Sequence, residues 1–338
     1  MSDSDLQPIA PEAAVELYLD GRRDELTKET LKSHKYRLQT FAEWCEDNDI
    51  TNINDITGRM LHQYRVDRRE DGLEPVSIRG QLSTLRQFIR FCESIDAAPE
   101  NLASKILIPK LSENEQVNHT KLDQERAGEI LAYLDQYDYA SREHLILTLL
   151  WKTGMRTGSL RSLDLEDFRP DEQALAVIHR PETGTPLKNK QRGERLVAID
   201  EQLVQLIEDY IQIHREEIRD EHGREPLITT AHGRVSSTTI RDTVYRLTQP
   251  CRIGNDCPHD EVPRECPAWG ARTSSKCPSC RSPHEVRSGS ITSHLLDDIP
   301  TEVISDRCDV SQDVLARHYD QRSEFERMEQ RRKYLSKN

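Results

Sequence analysis

The chain has 338 residues, with 47 Lys+Arg against 60 Asp+Glu and a formal net charge of −13, a length that predicts about two domains of ordinary size. Apolar residues make up 35% and charged residues 32%, which supports sizeable cores and excludes disorder throughout. No apolar run approaches the roughly 20 residues of a spanning helix, and the start, MSDSDLQPIAPE, has neither a basic nor an apolar signal region, so a cytoplasmic protein without a membrane partner is expected. From Pro11 to about Leu111 the pattern is one of short amphipathic helices. Leu31, His34, Leu38, Phe41 and Cys45 fall at spacings of three and four behind a capping Thr27 or Thr30. Met60, Leu61 and Tyr64 start a shorter helix, and Ile78, Leu82, Leu85, Ile89 and Cys92 make a second strong stripe. A small all-helical domain of about four helices is expected over 11–111, after a tail at 1–10 and before a polar linker at 112–120 containing SENEQVNHT.

From Lys121 the pattern changes. A helix around 127–134 precedes one that buries Leu145, Ile146, Leu149 and Leu150 and stops at Thr153-Gly154. ALAVI (174–178) and ERLVAI (194–199) read as strands of a hairpin. Two helices follow, one with Leu203, Leu206, Ile207, Tyr210 and His214, the other with Ile240, Val244 and Leu247. A Cys-rich stretch at 251–280 interrupts regular structure, and two or three helices close the chain. The fold class is mainly α with a small β-hairpin or sheet.

Three polar clusters in this second domain, and a tyrosine beyond them, could carry chemistry: TGMRTGSL with Arg156, LKNKQRGE with Lys188 and Lys190, HEVR with His284 and Arg287, and Tyr319 in ARHYD. Taken singly each is ordinary, since an Arg after a helix end commonly caps carbonyls, hairpin lysines are commonly solvated, and H-x-x-R arises by chance. Their order and spacing resemble the tyrosine recombinases, also called phage integrases or Xer-type recombinases, and the resemblance covers about residues 11–335. It implies a helical core-binding, SAM-like domain over 11–111 and a mixed α/β catalytic domain over 121–338. It also implies cleavage and rejoining of double-stranded DNA at defined sites through a 3′-phosphotyrosine, by a C-shaped clamp that works as a homotetramer on paired sites. No small-molecule substrate is expected.

The same resemblance assigns roles. Tyr319 is the nucleophile, Arg156 and Arg287 clamp the phosphate, His284 is the acid/base partner, and Lys188 is the general acid, with Lys190 as rival. The chemistry of these residue types fits the roles. A phenol stores the phosphodiester as an ester, planar guanidiniums hold non-bridging oxygens bidentately, and their charge makes a catalytic cofactor or metal unnecessary. Two positions depart from the family pattern. Ser159 stands where relatives commonly have an acidic residue, and Val310, after Asp309, stands where they have a His or Trp that donates to the phosphate. These departures favour a catalytically silent DNA-binding regulator as the alternative; relaxation of DNA as by a type IB topoisomerase is a third reading.

The surface composition, rich in carboxylates and with Arg (35) far above Lys (12), resembles that of proteins from extreme halophiles. DNA contact is expected from Arg79, Arg86 and Arg90 on one helix and from Lys32, Lys35 and Arg37 on another. Cys251, Cys257, Cys266, Cys277 and Cys280, with His259 nearby, include a C-P-S-C knuckle suited to a structural zinc that braces the HEVR helix. Free cysteines in a loop, or a redox pair, are the alternatives.

Overall fold

The computed structural model describes residues 6–111, 120–270, 272–297, 299–320, 322 and 324–335. The chain divides into two compact units, Met1–Asn118 and His119–Asn338. The expected linker at 112–120 and the first half of the expected tail at 1–10 lie almost wholly outside the described residues.

The first unit carries α1 (Pro11–Gly21), α2 (Lys28–Asp47), α3 (Gly58–Glu70) and α4 (Pro75–Ser94). Pro11 and Pro75 occupy first-turn positions whose N–H would have no helical partner. Thr27 and Thr57 accept the backbone N–H of Thr30 and Met60 at 3.2 and 3.3 Å, which starts α2 and α3. The apolar stripes meet in an aromatic core of Tyr18, Phe41, Trp44, Tyr64 and Phe88, with neighbouring ring centroids 5.2 to 6.3 Å apart. His34 is buried in it, its Nδ1 3.1 Å from the Tyr18 hydroxyl.

In the second unit the apolar run Leu145–Leu150 makes α6 (Arg142–Thr153) the centre of the core, buried on all sides. Around it stand α5 (Gln124–Tyr137), α8 (Glu201–Ile213), α9 (Ser237–Leu247) and α10 (Pro283–Leu296), all in contact with α6. Close approach of α10 depends on Gly289, where a Cβ would meet the Leu122 carbonyl oxygen at 1.9 Å. The segments expected at 174–178 and 194–199 form β2 (Ala174–Val177) and β3 (Arg195–Ala198), antiparallel with Leu175 opposite Val197. A short β1 (Phe168–Arg169) adds a third strand on β2; two residues are too few to show a period of two. A separate ribbon pairs β4 (Thr229–Thr230) with β5 (Gly233–Arg234).

Beyond 280 the described residues form α10, α11 (Thr301–Cys308), α12 (Gln312–His318) and α13 (Glu324–Leu335), which is more than the two or three helices expected. Helices as short as α11 and α12 show too little periodicity to be separated by sequence, and the break between them is set by Asp309 in the left-handed region and by Ser311, which accepts the Val314 N–H at 3.4 Å.

Burial lowers the pKa of His34, His144 and His294, so these rings stay neutral in the fold while the unfolded chain protonates them below about pH 6.5. The unfolded state then binds more protons, and stability is lost as pH falls through that value. Denaturant titrations at constant salt should show a lower midpoint at pH 5.5 than at pH 7.5; a flat or rising midpoint would contradict neutral burial of these histidines.

Candidate active site

The turn that carries Arg156 is built by its neighbours. Gly154 ends α6 with φ +59°, and a Cβ there would also lie 2.8 Å from Cys308 Sγ. Thr153 Oγ1 donates to the Leu149 carbonyl at 2.5 Å and accepts the Met155 N–H at 3.3 Å. Arg156 is thereby held at the start of α7 (Thr157–Ser162). Ser159 is buried in α7, and its carbonyl accepts the Ser162 hydroxyl at 2.8 Å.

Arg287 comes to the same place from α10. The N-terminus of that helix is closed by a reciprocal cap in which Ser282 and Glu285 each accept the other's backbone N–H. Arg287 is 3% exposed, and its Nη1 donates both to the Gly154 carbonyl and, at 2.7 Å, to the Cys308 carbonyl. Burial first, and then the charge of Arg156, push its pKa down, while the nearby Cys308 and Tyr319 act in the opposite direction. Tyr319 ends α12 and is 7% exposed in an apolar cluster with Ile291, Leu295, Ile304, Cys308 and Val310. Val310 therefore packs beside the tyrosine and presents no polar atom from its side chain.

His284 lies one turn before Arg287 on the more exposed side of α10. Desolvation, then the charges of Arg287 and Lys188, hold its pKa below the ordinary value, so the ring is neutral at pH 7 and can take up a proton. Lys188 and Lys190 are exposed in the loop between β2 and β3, whose base is pinned by Arg180 Nη2 on the buried Asp167 at 2.7 Å. Of the two lysines, Lys188 is the one whose charge is felt at His284. With Asn189, Arg192 and Asp309 both line a cavity of about 440 Å³.

Two further residues of the site were not singled out by sequence reading. Arg195 at the start of β3 donates to the Arg307 and Gly193 carbonyls at 2.8 and 2.9 Å, and its Nη2 is buried without a partner among the described residues. Burial lowers its pKa, with Arg287 and Arg156 acting in the same direction and Asp309 opposing them. Asp309 itself pairs with Arg156 Nη1 and accepts Asn189 Nδ2 at 2.8 Å. An aspartate just past a short helix in an acidic chain carries no signal until the turn it makes is seen.

The cysteines of 251–280 are all reduced. Cys251, Cys257, Cys266 and Cys277 line one cavity of about 240 Å³ with His259. Cys251 feels the negative charge of Cys257 and Cys277, and Cys280, pushed up to about 11 by burial, feels that of Cys277. Cys266 instead accepts the Ala268 N–H at 3.4 Å. Among the described residues no three metal-ligating side chains stand close enough together to enclose an ion.

In the first unit Arg79, Arg90, Lys32 and Lys35 lie at the surface. Arg86 is not a free member of its stripe, because its guanidinium donates to the Ile106 carbonyl. Arg37 likewise ties α2 to α4 through Gly80 O at 3.3 Å and Thr84 Oγ1 at 3.0 Å. Helical spacing places an arginine on a face but does not say which carbonyl at the rim it will cap.

A helical unit, followed by one in which two arginines, a lysine, a histidine and a tyrosine gather around the end of α6, defines the class of the tyrosine recombinases. Residues 120–260 match the phage integrase family, and residues 17–94 match the phage integrase N-terminal SAM-like domain. The chain belongs to the phage integrase family. The catalytic match stops inside the Cys-rich segment, before His284. Tyrosine recombinase XerC of Actinobacillus succinogenes is 25% identical over 59% of this chain, an alignment that spans 64% of that protein. XerC of Haemophilus influenzae is 21% identical over 84% of this chain and 83% of its own length. Among solved structures, lambda integrase as a dimer bound to a core site and as a tetramer bound to a Holliday junction superposes with TM-scores of 0.65 and 0.63, at 15% and 16% identity, each covering 95% of this chain and 80% of that one. Among the described residues no helix is long and apolar enough to cross a membrane.

Because Arg287 satisfies two buried carbonyls at once, Arg287→Lys, which keeps the charge but has no fork, should lower unfolding stability by about 1–3 kcal/mol. Arg156→Lys, on a partly exposed residue, should change it by under about 0.5 kcal/mol. Chemical denaturation of both variants checks this, and equal small effects would mean that the Gly154 and Cys308 carbonyls do not depend on Arg287.

Proposed function

We propose that this protein cleaves and rejoins double-stranded DNA at defined sites through a 3′-phosphotyrosine on Tyr319. The observation that carries the reading is the meeting of Arg287 and Tyr319 within one chain at Cys308, whose carbonyl accepts Arg287 Nη1 and whose side chain shares an apolar cluster with Tyr319, next to the Gly154 turn that leads into Arg156. The phenol oxygen attacks phosphorus, and its proton passes to neutral His284. Arg156 and Arg287 stabilise the charge that builds on the non-bridging oxygens, and Lys188 protonates the departing 5′ oxygen. Rejoining is the reverse: the 5′ hydroxyl attacks the phosphotyrosine and the phenol leaves. The ester conserves the energy of the phosphodiester, and tyrosine recombinases need no cofactor for catalysis. The complete set of five groups favours cleavage over a silent DNA-binding regulator, which would have no use for the tyrosine or for Lys188.

Surface residues Arg79, Arg90, Lys32 and Lys35 of the first unit are the phosphate-tracking residues of this reading. Lambda integrase is found as a tetramer on a Holliday junction, and by that likeness this chain acts as a homotetramer on paired sites. Tyr319→Phe should abolish the denaturant-resistant protein–DNA adduct on nicked duplexes taken from the DNA flanking its gene, while leaving binding intact. An adduct formed by the Phe variant would assign the nucleophile elsewhere. A 5′-thiolate leaving group, which needs no proton, should rescue Lys188→Ala and not Arg156→Ala.

We further propose a structural zinc whose binding would draw together Cys251, Cys257, Cys277 and Cys280, thiols that among the described residues do not already enclose an ion. Beyond the effect of burial, Cys251 feels the negative charge of Cys257 and Cys277, and Cys280 that of Cys277, a charge accumulation that a divalent cation relieves. The ion would order the segment two residues ahead of the Ser282 cap of α10 and so support His284 and Arg287 from outside the reaction. Full-length protein should carry about one zinc per chain, lost in Cys277→Ser or Cys280→Ser and retained in Cys266→Ser. Elemental analysis without zinc, together with rapid alkylation of the native thiols, would exclude the site.

A further inference from the structure

Asp309 follows α11 with φ +52°, a left-handed conformation that glycine, asparagine and aspartate adopt at low cost and that here turns its side chain to the phosphate clamp. One carboxylate oxygen pairs with Arg156 Nη1 and the other accepts Asn189 Nδ2 at 2.8 Å. The carboxylate is mostly enclosed, 14% exposed, beside the cavity lined by Lys188, Asn189, Lys190 and Arg192. At Gly193 a Cβ would approach Asp309 Oδ2 to 3.3 Å, so the loop is also shaped to admit it.

Two oxygens of one anion, one on a guanidinium and one on a carboxamide, present the pattern that two non-bridging oxygens of a phosphodiester would present. We propose that Asp309 is a built-in, displaceable occupant of the phosphate site. In this assignment Asn189 becomes the neutral donor to the scissile phosphate in place of the donor that Val310 lacks. The proposal rests on the strand-cleavage reading for its biological sense, although the anion site itself does not need it. Carboxylate and phosphodiester carry the same sign and repel each other at Arg156, so DNA favours eviction of Asp309, and Lys188, Lys190 and Arg192 supply the positive charge that favours the exchange. Without DNA the carboxylate occupies Arg156 Nη1 and disfavours small anions in the clamp. The competing role is that of a brace, in which Asp309 orients Arg156 and stays in place during reaction.

Asp309→Asn and Asp309→Gly separate the two roles, since both residues suit the left-handed backbone and both remove the charge. The first measurement is binding of inorganic phosphate to full-length protein, followed by its shift of the melting temperature at constant ionic strength. Both variants should bind phosphate about tenfold more tightly than the parent, and Asn189→Ala in the Asp309→Gly background should give back at least about threefold of that gain. The second is the rate of adduct formation on nicked DNA at limiting DNA concentration, which should rise in both single variants and fall again in the double variant. Phosphate affinity that is unchanged or weaker in both single variants, with cooperative melting retained, would show Asp309 to be a brace and overturn the proposal. Tighter phosphate binding with no adduct from any form, the parent included, would uphold the anion site and sink the strand-cleavage reading instead.

Discussion

Most of the catalytic unit depends on one buried cation. Arg287 is 3% exposed, and a guanidinium so placed is tolerable only if its donors are used. Its Nη1 bonds the carbonyl of Gly154 at the end of α6 and the carbonyl of Cys308 at the end of α11. Two helix C-termini therefore converge on one positive charge, which is where their partial negative charge and unpaired carbonyls are best satisfied. The same group that closes the fold here also prepares a site for an anion, because the helix ends orient the guanidinium without neutralising it.

A second ionic system in the same unit shows the contrast. Asp164 and Asp167 are buried and meet Arg180, Arg224 and Arg234, with Arg234 also on Asp220 at 2.8 Å. There the opposite charges balance and the donors are largely consumed, and the outcome is a rigid base for the loop that carries Lys188. Around Arg156, Arg287 and Arg195, by contrast, cations outnumber carboxylates, and their mutual repulsion adds to the burial that lowers the pKa of Arg195 and Arg287. An excess of positive charge held by packing is a state that binding of a phosphate relieves.

Much of this was legible in the sequence because it rests on short-range rules. Thr27 caps the helix it precedes, Gly154 ends α6, and the short apolar segments ALAVI and ERLVAI pair as β2 and β3. The order of Arg156, Lys188, His284, Arg287 and Tyr319 was legible for another reason: it is a pattern of residue types at set spacings. What could not be read were contacts between distant segments. Nothing near Arg86 in sequence announces the Ile106 carbonyl, and nothing near Asp309 announces Arg156. Val310 was legible as a missing donor, but its place in the apolar cluster around Tyr319 needed the fold.

The Cys-rich segment shows how such a site survives a long interruption just ahead of α10. Its two ends are brought together by polar contacts that belong to the core. Thr248 Oγ1, one residue past α9, accepts the Arg281 N–H at 2.8 Å, and Arg126 of α5 donates to both the Thr248 and Ser279 carbonyls. Closing a loop costs entropy that grows only with the logarithm of its length, so once the ends are pinned the residues between them add little. The distance between α9 and α10 is then set by Thr248, Arg126 and Arg281 and not by what lies between. Arg287 and His284 keep their register on α10 because the pinned ends lead directly into the Ser282 cap. A metal in the segment would order the loop itself and add to the support that hydrogen bonds at its base already give the phosphate clamp.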